Sequence, residues 1–441
     1  MSGGAAAQDN VEHDSRMTWE GCSVLLDIND GDRLVFARLT SGSKLKIGST
    51  NVSLKSLIGC PYGSVFQLDN GMDGCFLSRY KESGDPIENE ERQAVDDFRD
   101  NRSINDDNKA QNLSVEDIDA MKMQGVKGEE IVNALIANSA TFDKKTAFSQ
   151  EKYRIKKQKK YAPKVKLRRP FSRSICKAYF KKYPARIGFL RVDALSLLLS
   201  MSNAGANSDI LVVDRVGGIV AGSVAERLGG EGYVCNVVTE GVESSIEIVK
   251  IFNFTNRILE RIVSIPLREL CSSESGNTDC EQHANNHTGD SNCITLPLKE
   301  ENVQSNSSIE DEELETLCVP AEKKRKAPKA GERPSVETLK YWKENGFSSL
   351  IIAAPDMDPW NLLENLLPLL SFSAPFAIYH QYLEPVANCM HNLQTGKMAI
   401  GLQISEPWLR EYQVLPSRTH PMMQMSSFGG YILSGTKLHV L

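Results

Sequence analysis

The sequence predicts an α/β chain with a small N-terminal β-barrel, a helical and basic linker, and a C-terminal doubly wound sheet. Three observations predict it. Short strand-like runs bounded by Gly, Asn and Ser fill residues 17–80. Apolar residues recur at helical spacing between 113 and 160. Beyond residue 200, buried strand-like runs alternate with helical ones, the pattern of a mostly parallel sheet.

The boundaries follow composition. Residues 1–16 are a small polar tail predicted to be disordered, and 17–80 form the barrel. An acidic polar loop covers 81–100, the helical and basic linker covers 101–170, and the sheet domain covers 171–441. The sheet domain is interrupted at 272–334 by a segment rich in Ser, Asn, Glu and Lys. Such a segment cannot bury enough apolar surface to offset its ordering entropy, so it is predicted to be a disordered insert. With 441 residues, 41% of them apolar, the chain has material for two or three domains.

In the barrel, Ser23-Val24-Leu25-Leu26 and Leu34-Val35-Phe36-Ala37 flank Asn29-Asp30-Gly31-Asp32, a hairpin turn signal. Further strands are expected at 44–47, 52–57 and 64–68. In the linker, Ser114 and Asp117 stand at capping-box spacing, and Gly125 ends that helix. Ile131, Val132, Leu135 and Ile136 share one face of a second helix. A third begins near Asp143 and enters a basic tract. In the sheet domain, strands are expected at 210–213, 233–238, 350–353, 376–379 and 398–404, and helices at 219–228, 359–370 and 384–393. Leu362, Leu363, Leu366, Leu367 and Leu370 form a stripe that should face the core.

No apolar stretch reaches eighteen residues, so nothing is expected to span a membrane. The N-terminus carries no basic-then-apolar signal. Ten cysteines lack a framework spacing, which suits free thiols in a reducing, intracellular compartment.

The net charge of −6 hides strong segregation. From Lys152 to Arg191 there are sixteen Lys or Arg and no Asp or Glu. The densest part holds Arg154, Lys156, Lys157, Lys159, Lys160 and Lys164, with Tyr153 and Tyr161 between them. A one-sign field of this size favours an anionic partner: phosphates neutralise it by counterion release, and tyrosines offer faces for base stacking. A solvated helix face or an import signal is the plainer alternative. Lys323-Lys324-Arg325-Lys326, inside the insert, has the exposed basic character of a nuclear import signal. Cys280, His283, His287 and Cys293 are zinc-type ligands, but no apolar residues surround them to build a metal knuckle, so no metal is expected.

After the first strand of the sheet domain comes Asp214-Arg215-Val216-Gly217-Gly218-Ile219-Val220, placed where a nucleotide-binding loop would lie. Asp214 and Gly218 fit the acid and middle-glycine positions of an S-adenosylmethionine loop. Val216 and Val220 stand where its outer glycines belong, and β-branched residues restrict the backbone and fill the space for adenosine. Val238 occupies the position of the ribose-binding acid, with Glu240 two residues on. The loop is therefore read as structural, with a degenerate cofactor site.

Several stretches resemble one family. They are Asp100-Asn101-Arg102, Ala110-Gln111 and Leu113; Asn138-Ser139-Ala140-Thr141-Phe142; and Trp408-Leu409-Arg410-Glu411-Tyr412-Gln413-Val414-Leu415-Pro416 with Arg418-Thr419-His420-Pro421 and Gly429-Gly430-Tyr431. They are similar to the Gcd10-type family, the non-catalytic subunits of the nuclear tRNA (adenine-N1)-methyltransferase. The resemblance implies a Rossmann-like methyltransferase fold and a role in methylating N1 of adenine 58 in the tRNA T-loop. It implies a heterotetramer with two catalytic subunits, S-adenosylmethionine bound in those partners, and residence in the nucleus. It implies no catalytic residue here: Ala353-Ala354-Pro355 replaces the partner's Asp-Leu-Pro, and alanine cannot accept a proton. Contacts to tRNA are then expected from Asn101, Arg102, Arg154, Lys156, Lys157, Lys159, Lys160, Lys164, Arg186, Arg191, Arg410 and Arg418. The competing readings are an active S-adenosylmethionine-dependent RNA methyltransferase and an RNA-binding scaffold without a methyltransferase partner.

Overall fold

The computed structural model describes residues 14–48, 50–71, 74–80, 111–239, 246–272, 328–415, 418–425 and 428–438. Asn101, Arg102, Glu240, the Cys280–Cys293 stretch and the tract Lys323–Lys326 lie outside the described residues.

The N-terminal part contains β1 (Ser23–Ile28), β2 (Arg33–Arg38), β3 (Lys44–Ile47), β4 (Thr50–Ser53), β5 (Val65–Gly71) and β6 (Gly74–Arg79). The β1–β2 turn is the one the sequence signals, with Asn29, Asp30 and Gly31 all at positive φ. Helices α1 (Val115–Met123), α2 (Gly128–Ala137) and α3 (Ala147–Tyr161) follow, then β7 (Lys164–Arg168). Ser114 and Asp117 form the expected capping box on α1.

Two expectations change here. β7 falls within 101–170, yet it is the central strand of the N-terminal sheet, whose order is β2-β1-β7-β5-β6. Val165 and Leu167 point into the core while Lys164 and Lys166 point out, so a strand is hidden in the basic tract. The strands also form no closed barrel among the described residues. The five-stranded sheet is open at β2 and β6, and β3–β4 is a separate ribbon. Both cover one core, in which Val52, Leu54 and Leu57 meet Phe66, Leu77 and Val165.

The C-terminal part runs α4 (Ser172–Lys182), α5 (Val192–Met201), β8 (Ser208–Asp214), α6 (Ile219–Leu228), β9 (Gly232–Val238), α7 (Asn256–Leu259), β10 (Ile262–Pro266) and α8 (Leu267–Cys271). It continues with α9 (Val336–Asn345), β11 (Ser349–Ala353), α10 (Pro359–Leu366), β12 (Pro375–His380), α11 (Leu383–Thr395), β13 (Ala399–Ser405), β14 (Tyr412–Leu415), β15 (Arg418–Pro421) and β16 (Tyr431–Lys437). The main sheet has the order β10-β9-β8-β11-β12-β16-β13. β16 alone runs against its neighbours. This is a doubly wound sheet with one antiparallel strand set between its fifth and sixth parallel strands.

Alternation along each strand feeds two cores. Ile210 and Val212 pack with α4, α5 and α6 on one face. Leu211 and Val213 pack with Trp342 of α9, the α10 leucine stripe and Val386 of α11 on the other. Strands buried on both faces read as unbroken apolar runs, as β8 does. The end of the predicted insert is part of this sheet domain. Gly331 donates to Ile262 O (2.8 Å), Ser264 donates to Glu332 O (3.1 Å), and Glu332 bridges Val263. The free edge of β10 supplies unpaired backbone groups, and the returning chain satisfies them.

Asn253, in the left-handed region at φ 57, joins the two parts. Its Oδ1 accepts from Ser23 N (2.7 Å) and its Nδ2 donates to Ser23 O (2.7 Å).

Candidate functional site: a filled crevice and a basic surface

The strand order reverses direction between β8 and β11, and a ligand of a doubly wound sheet binds beyond the carboxyl ends of such strands. The loop that follows β8 lies there. Asp214 is buried and accepts four backbone N–H bonds of 2.9 Å, from Val216, Gly218, Val220 and Ala221. Burial pushes its carboxyl above the ordinary range, against the pull of those four donors. Both oxygens are thus committed to shaping the loop.

The glycines do approach something closely, but it is protein. A Cβ on Gly218 would lie 2.7 Å from Ile246 Cα, and one on Gly217 would lie 2.9 Å from Ile248 Cδ1. A Cβ on Gly188 would meet Pro355 Cγ at 2.6 Å and Val216 Cγ1 at 2.9 Å. Val216 and Val220 have no exposed surface.

An ion pair crosses the same region. Arg215 donates through Nε to Asp356 Oδ2 at 3.2 Å, and its backbone N–H bonds Ala353 O at 2.9 Å. The guanidinium holds the Asp356 carboxyl below the usual carboxylate range. Asp356 is therefore engaged by Arg215. Asp214 is thus bonded within the loop, and Ile246 and Ile248 pack against its two glycines. Sequence reasoning identified Val216 and Val220 but missed the two isoleucines, which no local pattern ties to the loop.

The basic residues divide into several groups. Helix α3 buries none of its side chains fully. Lys156, Lys157 and Lys160 have no acidic partner among the described residues. Lys159 pairs with Asp32 (2.8 Å), and Arg154 pairs with Glu151 (3.5 Å). Lys164 lies over the Tyr80 ring at 3.7 Å. The tyrosines serve differently from expectation. Tyr153 packs edge-on against Phe142, with Lys145 and Lys157 at 4.9 and 5.2 Å from its ring. Tyr161 packs on the Ile118–Ile131–Leu135 cluster, with Lys160 at 5.0 Å. They anchor the helix and hold ammonium groups in place.

Arg191 is a correction. It is buried, paired with Asp193 (2.7 Å), and donates to Pro407 O (3.1 Å) and Phe428 O (3.2 Å). It ties α5 to the C-terminal segment and offers nothing to a phosphate. Arg186 is exposed beside Glu247 (3.7 Å). Arg410 is partly buried, and its Nε has no hydrogen-bond partner. Arg418 opens β15. Among the described residues no cluster of metal ligands occurs, and no helix is long and apolar enough to cross a membrane.

The sequence profile of the Gcd10p family matches residues 19–315. The chain belongs to the Gcd10p family. It is 35% identical to a Dictyostelium discoideum protein named tRNA (adenine(58)-N(1))-methyltransferase non-catalytic subunit, over 97% of this chain and 81% of that one. It is 32% identical to the Mus musculus protein of the same name, covering 92% of this chain and 88% of the other. Among solved structures it is similar to an SAM-dependent O-methyltransferase from Thermotoga maritima, at 12% identity, TM-score 0.48, and 98% coverage of both chains. Its mostly parallel seven-stranded sheet is doubly wound and Rossmann-like.

Proposed function

We propose that this chain is the non-catalytic, tRNA-holding subunit of the complex that methylates N1 of adenine 58 in the tRNA T-loop. The names of its relatives support the assignment. The observation that carries it is the filled crevice. We read Ile246, Ile248 and Val216, which pack against glycines of and beside the loop, and the Arg215–Asp356 pair as taking the space of a cofactor and target base. This chain then binds no cofactor and performs no chemistry. S-adenosylmethionine belongs to the catalytic subunit, and two copies of each chain make the heterotetramer.

The role of this chain is positional. Lys156, Lys157 and Lys160 hold phosphates without reading sequence, which suits a substrate class recognised by shape. Exposed Trp408, Tyr412, Val414 and Met423 give the catalytic subunit an apolar surface to cover. The tract Lys323–Lys326 is assigned to nuclear import.

Titrating S-adenosylmethionine into this chain in a calorimeter should give no binding heat, while the chain co-purifies with a methyltransferase subunit and tRNA. Micromolar cofactor affinity would return the chain to the enzymes. Absence of a methyltransferase from the co-purified proteins would leave a free-standing RNA scaffold.

A further inference from the structure

Helix α4 carries a second basic face that the α3 reading does not use. Its inner side, Ile175, Cys176 and Tyr179, packs into the sheet core. Its outer side exposes Arg173, Lys177 and Lys181 at spacing i, i+4, i+8. Three cations in this register lie on one stripe, each about 6 Å further along the axis. Lys182 adds a fourth, and residues 172–189 contain no acid.

Acids from neighbouring elements leave this stripe largely uncompensated. Glu226 is engaged by Ser172 at the start of the helix, and Glu247 faces Arg186 beyond its end. Arg173, Lys177 and Lys182 have no acidic partner among the described residues.

The stripe is continuous with α3. Lys181 Nζ donates to Gly31 O in the β1–β2 turn, and Lys159 of α3 pairs with Asp32 of the same turn. The C-terminal ends of both helices therefore meet at one hairpin. From α4 the chain passes through the 3₁₀ turn Pro184–Ile187 to Gly188, which packs on Pro355 and Val216 of the filled crevice. Next to it, Phe189 adopts φ 55 and leaves 45% of its surface exposed. A bulky residue in the left-handed region with its ring in solvent is an uncommon arrangement, and such strained positions cluster at ligand contacts.

We propose that the outer face of α4 is a second RNA-contact surface, with Lys177 and Lys182 as phosphate ligands and Phe189 as a base-stacking platform at its end. It leads an RNA strand from α3 to the mouth of the crevice. The proposal rests on the reading of this chain as a tRNA-holding subunit. An RNA backbone fits better than an acidic protein, because the stripe joins the α3 lysines and ends on an exposed aromatic ring.

The test uses the full chain assembled with its catalytic subunit and labelled tRNA, with affinity measured across a salt series. K177A/K182A should reduce the slope of log affinity against log salt by about 1.4–1.8. Phe189→Gly keeps the left-handed backbone, and it should weaken binding about tenfold with the slope unchanged. Ultraviolet cross-linking should recover RNA on the peptide containing Phe189. Wild-type affinity and slope in both variants, alongside weakened binding by an α3 variant, overturn the α4 surface and leave the tRNA-holding role standing. No tRNA binding by the wild-type complex overturns both. Lost assembly with unchanged RNA affinity in K177A/K182A makes α4 a protein interface and overturns the proposal.

Discussion

Asp214 gathers four backbone N–H groups from the loop and the first turn of α6, all of them buried. Both carboxylate oxygens serve the fold of the loop. Removing it leaves several buried donors without an acceptor, and each such donor costs roughly 1–3 kcal/mol. Asp214→Ala should therefore destabilise the protein by at least about 3 kcal/mol, measured by urea unfolding. An Asp214→Ala protein as stable as wild type would mean that the loop rearranges and the acid is not structural. Val216 and Val220 stand out in the sequence because they depart from the glycine spacing of an S-adenosylmethionine loop, and both are buried. Ile246 and Ile248 do not stand out, since they reach Gly218 and Gly217 from a segment about thirty residues away. Arg191 was misjudged for a related reason. A run of like charges says nothing about burial, and Asp193, two residues beyond the run, neutralises it.

Helices and buried strands were the most legible elements. The helix 219–228 and the capping box at Ser114 lie where local signals put them. β7 escaped notice because only Val165 and Leu167 show the apolar half of its alternation, between lysines. Barrel closure escaped because it depends on whether β2 and β6 pair, a long-range property that strand spacing does not encode. The structure also sharpens what α3 offers to RNA. Lys159 is already paired with Asp32, so the side chains to remove are Lys156, Lys157 and Lys160. Changing these three to alanine should weaken tRNA binding by the complex and reduce the salt slope by about 2.1–2.7 if each neutralises one phosphate. The loss should be alike for tRNAs of different sequence, since phosphate contacts carry no code. A salt series on wild-type and variant complexes of equal composition is the measurement; an unchanged slope assigns this face to solvent.

At the scale of the whole molecule, a holding subunit must fix its basic surface relative to the sheet domain that is proposed to meet the catalytic partner. α3 leads directly into β7, so its position is set by the N-terminal sheet. That sheet is tied to the sheet domain through Asn253, whose amide takes both backbone groups of Ser23. Phe36 of β2 against Tyr179 of α4, with ring centroids 5.3 Å apart, adds an apolar contact across the same junction. Asn253 already sits in the left-handed region, so Asn253→Gly removes the two hydrogen bonds without backbone strain. Two such bonds contribute roughly 1–3 kcal/mol. If the junction positions tRNA, the variant complex should assemble and bind tRNA nearly as wild type does, because the α3 lysines are untouched. Its methylation rate at saturating tRNA should fall, because the target base is presented less accurately, and misplacement by about 1 Å can lower a rate about a hundredfold. Hydrogen exchange at the Ser23 amide should rise in the same variant and report the loosened junction. A faster-exchanging Ser23 amide with an undiminished methylation rate would show that the two parts need no rigid link. Tenfold weaker tRNA binding with an unchanged saturated rate would place the junction in affinity rather than in presentation.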